Sequence, residues 1–89
     1  MEYLKSVIPV IESNYVNFTT VERSIADFFI YNREQMDFSA KSVAGKLFVS
    51  EASLSRFAKK CGFRGYREFI YQYEENFVVR QDSMTGDRK

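Results

Sequence analysis

Apolar residues recur along this chain at intervals of three and four, the spacing that gathers them on one face of an α-helix, and they do so in five successive blocks. Leu4, Val7, Ile8 and Ile11 predict a first helix. Pro9 lies within it and lacks a backbone donor, so a break or a late start falls near that residue. Thr19 and Glu22 form a T-x-x-E capping box before a second helix, which runs to about Asn32 with Val21, Ile25, Phe28 and Phe29 on one face. Residues 33–38 read as a connector. Ser39 caps a short third helix carrying Val43, Ala44 and Leu47 inward, and Ser50 caps a fourth with Leu54, Phe57, Ala58 and Cys61 at i, i+3, i+4 and i+7. Gly62 suits the left-handed residue after that helix, with Phe63 folding back onto its last turn. From about Gly65 a fifth helix carries Tyr66, Phe69, Ile70, Tyr73 and Phe77 on one stripe. Past Arg80 the chain turns polar, so residues 1–79 read as one domain and residues 80–89 as the start of a linker or a disordered tail. The predicted fold class is all-α, a five-helix bundle.

Composition narrows the chemistry. The 89 residues are 45% hydrophobic and 17% aromatic, enough for one modest core and too few for a deep catalytic cleft. There is no histidine, and the single cysteine, Cys61, excludes an intrachain disulfide and a multi-cysteine zinc site. The acids Glu74 and Glu75, or Glu22 and Asp27, fall on no recognisable cleft. The sequence therefore carries no assignable catalytic residue, metal site or cofactor, and does not read as an enzyme. No apolar run approaches the roughly 20 residues of a membrane span. The N-terminal residues lack the pattern of a signal peptide, so the expected location is cytoplasmic.

The net charge of +1 conceals a strong asymmetry. Residues 1–38 hold three cations against six acids, and residues 68–89 three against five. Between them, residues 39–67 hold Lys41, Lys46, Arg56, Lys59, Lys60, Arg64 and Arg67 against Glu51 alone, a net +6. A basic block between acidic flanks is the pattern left by a one-sided polyanion-binding face, although a solvated helical surface would leave it too.

The third and fourth helices, joined by about three residues, have the spacing of a helix-turn-helix, in which the first helix crosses the DNA backbone and the second enters the major groove. Ala44 supplies the small residue where the helices cross. Val43, Leu47, Val49, Leu54 and Phe57 lock the pair to the body. Phe48 occupies the turn position that is often glycine; a left-handed conformation would be strained for phenylalanine, so a different turn geometry is expected. On the fourth helix Ala52, Arg56 and Lys59 lie opposite the apolar face, with Ser53, Ser55 and Lys60 on the flanks. Arg56 can fork onto a guanine or clamp a phosphate, or else form a salt bridge, to Glu51 for example. Lys59 and Lys60, near the helix end, suit phosphates, and Ser50 and Ser53 serve as caps or base contacts. Only residues 62–64 separate the fourth helix from the fifth, too few for a β-hairpin wing.

The run Val49-Ser50-Glu51-Ala52-Ser53-Leu54-Ser55-Arg56-Phe57-Ala58-Lys59-Lys60-Cys61-Gly62-Phe63-Arg64-Gly65-Tyr66-Arg67-Glu68-Phe69 resembles the RpiR family of bacterial transcription regulators. Upstream, residues 19–29 are similar to that family's second helix and residues 39–44 to the opening of its helix-turn-helix. The resemblance covers about residues 15–77. It implies a sequence-specific DNA-binding module, a repressor or activator of sugar or amino-sugar metabolism genes, with DNA contacts expected from Ser39, Lys41, Ser50, Glu51, Ala52, Ser53, Ser55, Arg56, Lys59, Lys60 and Arg64. It further implies a phosphosugar effector bound by a sugar-isomerase-like C-terminal domain absent from these 89 residues. A single reading helix covers few base pairs, so the expected target is a palindromic operator bound by a homodimer, weak or monomeric in isolation. Leu4, Val7, Ile8 and Ile11 are the candidate dimer surface. The alternative is a helical protein–protein interaction module without DNA binding, using the aromatic and apolar stripes of the first and fifth helices.

Overall fold

In a computed structural model, the backbone of residues 7–86 and the side chains of residues 7–76 are described. The order is α1 (Val7–Asn14), a 3-10 turn (Tyr15–Asn17), α2 (Thr20–Tyr31), α3 (Ala40–Leu47), α4 (Glu51–Lys60) and α5 (Tyr66–Gly86). No strand occurs among the described residues, so nothing there forms a wing.

Local chemistry explains most boundaries. Pro9 is the third residue of α1, within the first turn, where backbone donors lack helical partners in any case. The Val7 N–H is taken instead by Asn76 Oδ1 of α5 at 2.7 Å. The capping box of α2 is complete: Thr19 Oγ1 accepts from the Glu22 N–H, and Glu22 Oε1 accepts from the Thr19 N–H. Ser39 and Ser50 cap α3 and α4 by accepting from the N–H groups of Ser42 and Ser53. Gly62 leaves α4 at φ 95°, with Gly62 N–H donating to Lys59 O and Phe63 N–H to Ala58 O, the paired bonds of a Schellman ending. A Cβ there would meet nothing within 4 Å, so backbone conformation rather than space calls for glycine.

The core is aromatic and centres on Phe29. Its ring lies 4.9 Å from those of Phe69 and Tyr73, edge to face, and 6.1 Å from Phe57, stacked. One side chain thus joins α2, α4 and α5. Phe18 extends the cluster to Phe57 at 5.1 Å. The connector contributes Phe38, fully buried beside Tyr73 at 5.3 Å, while its carbonyl accepts from the Tyr66 hydroxyl at 2.7 Å. That segment is anchored by its last side chain and holds no helical turn.

Three sequence expectations need correction. On α2 the inward stripe is Glu22, Ile25, Ala26 and Phe29, while Val21 is 45% exposed. The capping box draws Glu22 inward and turns its neighbour out. Of the candidate dimer surface, Val7 and Ile11 are completely buried in this domain's own core, Ile8 is half-buried, and Leu4 lies outside the described residues. The first and fifth helices spend their stripes on the same core: Tyr66, Phe69 and Tyr73 are buried, and Phe77 lies outside the described side chains. The alternative of a partner helix docked on those stripes loses its surface. Helix α5 itself runs to Gly86.

Candidate nucleic-acid interface

Helix α4 is docked by Leu54, Phe57 and Ala58, all fully buried, against α2 and α5. At 100° per residue the opposite face must look outward. Glu51, Ala52, Arg56 and Lys59 are exposed, and Ser53 and Ser55 are half-buried on the flanks. Helix α3 packs against α4 through Val43 and Ala44, both buried, and Leu47, half-buried. The pair therefore presents the arrangement of a helix-turn-helix, with the second helix rigidly seated and its polar face free.

The turn does not differ in the way expected. Phe48 is itself left-handed, at φ 59° and ψ 43°. Its N–H and that of Val49 both reach Ala44 O, so the helix closes as it would over a glycine. A β-carbon in this conformation costs about 1–2 kcal/mol. The Phe48 ring is 94% exposed and returns none of that cost through burial.

The cations divide into two groups. Lys60, though exposed, is paired within the fold: its ammonium lies 2.8 Å from Glu22 Oε1 and donates to Asn17 O at 3.0 Å. It ties the end of α4 to the start of α2. Burial alone would push the Glu22 carboxyl up; hydrogen bonds from Lys60 and Thr19, with the ammonium's charge, outweigh it and hold the group below its ordinary value. Arg56 is exposed and has no hydrogen bond or ion pair among the described residues, which leaves the salt bridge to Glu51 unformed. Lys41, Lys46 and Lys59 are equally exposed and without an ion pair there. Arg64 is exposed, and its backbone N–H donates to Glu68 Oε1 at 2.7 Å, capping α5.

The two serine caps play different parts. Ser50 Oγ lies 3.0 Å from Ser53 Oγ as well as accepting from the Ser53 N–H, so both hydroxyls sit at the exposed start of α4. At the start of α3, Ser39 accepts from the Ser42 N–H, and Asp37 accepts from the Ser39 N–H and the Ser42 hydroxyl. Those bonds hold the Asp37 carboxyl below its ordinary range.

Two features escaped the sequence. Arg67, outside the predicted contact set, lines a crevice of about 330 Å³ with Ser39, Ala40, Tyr66 and Ile70, which brings an α5 cation to the start of α3. The only signal for it was membership of the basic block. A second crevice, about 360 Å³, lies between α1 and α2 and is lined by Glu12, Tyr15, Asp27, Ile30 and Tyr31. Asp27 there accepts from the Tyr15 hydroxyl at 3.0 Å while Glu22 is paired with Lys60, so these two acids do not act together. No cluster of three or more His, Cys, Asp or Glu side chains that could hold a metal occurs among the described residues. Among them, too, no helix is long and apolar enough to cross a membrane.

The search of curated proteins returned no match to the chain. The family model described as a helix-turn-helix domain of the rpiR family matches residues 5–78, which include all of α1 to α4 and the first part of α5. The chain belongs to the rpiR family of helix-turn-helix domains and is a DNA-binding domain of a transcription regulator.

Proposed function

We propose that this domain reads the major groove with the first two turns of α4 and regulates genes of sugar or amino-sugar metabolism. The observation that carries the reading is Arg56: exposed, unpaired among the described residues, and set opposite the stripe that seats α4. A guanidinium in that position is available to a guanine edge or a phosphate. Ala52 and Ser53 beside it are small enough for close approach to bases. Around it, Lys41, Lys46, Lys59, Arg64 and Arg67 take phosphates, and Ser39 and Ser50 support the helix starts that meet the backbone. Lys60 leaves the predicted contact set, because its ammonium already serves Glu22 and Asn17.

Two copies occupy a two-fold symmetric operator. One such helix addresses only a few base pairs, and paired half-sites about one or two helical turns apart supply the missing specificity. With Val7 and Ile11 committed to the core, α1 offers little apolar surface for association, so this chain alone is a monomer or weak dimer that pairs on DNA. Phosphosugar sensing, which the family resemblance assigns to a C-terminal domain outside these 89 residues, is no part of this module's own chemistry.

Binding to mixed genomic DNA fragments, followed by sequencing of the bound fraction, tests the reading. Enrichment of an inverted repeat near sugar-metabolism genes is the expected result. Footprinting and sedimentation on that repeat should show two chains bound cooperatively. One chain saturating a single asymmetric site would refute the symmetric arrangement, and no enrichment would refute sequence-specific reading.

A further inference from the structure

Phe48 is the conformational outlier of the molecule. Among the described residues it is the one non-glycine residue with positive φ, and at 94% exposure it is more exposed than Val16, Val21, Tyr31 or Tyr71. Nothing inside the fold accounts for it. The ring buries almost no area, and a glycine would hold the same turn without strain, as Gly62 does at the end of α4. Backbone strain with no internal return points to a use outside the fold.

Its position suggests that use. Lys46, exposed and without an ion pair among the described residues, precedes it by two residues. Ser50, which caps the reading helix, follows it by two. An apolar ring between a cation and the start of a groove-entering helix has the composition of a nucleic-acid contact, in which the cation takes a phosphate and the ring takes sugar and base carbons. A docked protein is a poorer match. The other large apolar side chains exposed among the described residues lie on the 3-10 turn, α2 and α5, not on the α3–α4 pair.

We propose that the Phe48 ring packs against the deoxyribose wall of the major groove, an apolar DNA contact made by the turn itself. This rests on the reading of α3 and α4 as the DNA-binding pair, and the test separates the two. Phe48→Gly and Phe48→Asn both tolerate a left-handed backbone and so keep the turn. Each is titrated against a mixed-sequence DNA duplex over a range of salt, with thermal melting measured in parallel. Phe48→Gly should raise Tm by about 4–8 °C through loss of strain. Both variants should weaken DNA binding by about three- to tenfold through loss of apolar burial. The slope of log affinity against log salt should not change, because no cation is removed. Phe48→Tyr should bind as the parent does. Variants that bind DNA like the parent, while Lys59→Ala weakens the same duplex, would overturn the ring contact and leave the DNA reading intact. A loss confined to association of two copies, with single-copy affinity unchanged, would place the ring against a second copy and overturn the proposal as well. No binding of the parent chain to any duplex at low salt would overturn both.

Discussion

Arg56 and Lys59 share the outward face of α4, yet their places along it differ. Arg56 lies in the second turn and Lys59 in the last, so the first is near base edges when the helix enters by its N-terminus and the second near the backbone. Arg56→Ala should cost about 1–3 kcal/mol on a cognate duplex and much less on a scrambled one. Lys59→Ala should weaken both alike. Parallel titrations of the two duplexes measure the contrast, and equal losses for Arg56→Ala would make it a phosphate ligand. Cys61, buried in the core at the end of α4, is a different matter. Burial, with the nearby Glu22 charge second, pushes its thiol up to about 11. It should therefore stay unreactive toward thiol reagents at neutral pH until the chain unfolds, since the thiolate is the nucleophile. Rapid labelling of the folded chain would contradict that burial. At this scale the sequence was legible where periodicity spoke: Leu54, Phe57 and Ala58 inward imply Arg56 outward. It was silent on the pairing of Lys60, because nothing in the spacing of α4 reveals an acid 38 positions earlier.

The elements themselves are governed by their ends. The start of α2 illustrates how a local motif acquires a tertiary function. Glu22 completes the capping box, is drawn into the core by it, and there meets Lys60. The folded carboxyl titrates lower than in the unfolded chain, where the ordinary value of 4.5 applies. The folded state thus binds fewer protons in that range. The contribution is present above the unfolded value and is lost as pH falls through the folded one. Glu22→Gln should lower stability near neutrality by about 1 kcal/mol. It should also make the acid limb of the stability profile shallower, measured by urea unfolding at a series of pH values. Asp37 is lowered in the same direction, so part of the decline should remain. An acid limb identical to the parent's would remove Glu22 from the account. The caps of α2, α3 and α4 and the glycine ending of α4 were readable because each is decided within five or six residues. The turn at Phe48 was not, since a left-handed phenylalanine goes against the residue's own propensity and no neighbouring residue type signals it.

For the whole molecule, charge and core are arranged on opposite principles. The aromatic cluster around Phe29 holds α2, α4 and α5 in one rigid unit, while the basic block is distributed over α3, α4 and the start of α5. With Lys60 paired to Glu22, six other cations of that block remain: Lys41, Lys46, Arg56, Lys59, Arg64 and Arg67. Engagement of four or five of them with phosphates gives a slope of log affinity against log salt of about −4 per domain. Lys60→Met should lower thermal stability and leave that slope unchanged, whereas Arg67→Ala should reduce it by about one. Binding independent of salt would sink the polyanion reading.

The sequence by itself determined the number of helices, their caps, which face of α4 is apolar and the family, because helical periodicity and capping are local and the family's motif is a contiguous run. It could not decide how elements distant in the chain meet. Only the tertiary structure commits Val7 and Ile11 to the core, sends Lys60 to Glu22, brings Arg67 to the start of α3 and leaves Phe48 strained in the open. Each of these depends on which surfaces come together when the helices close around one aromatic cluster, and that closure is a property of the packed whole rather than of any stretch of residues.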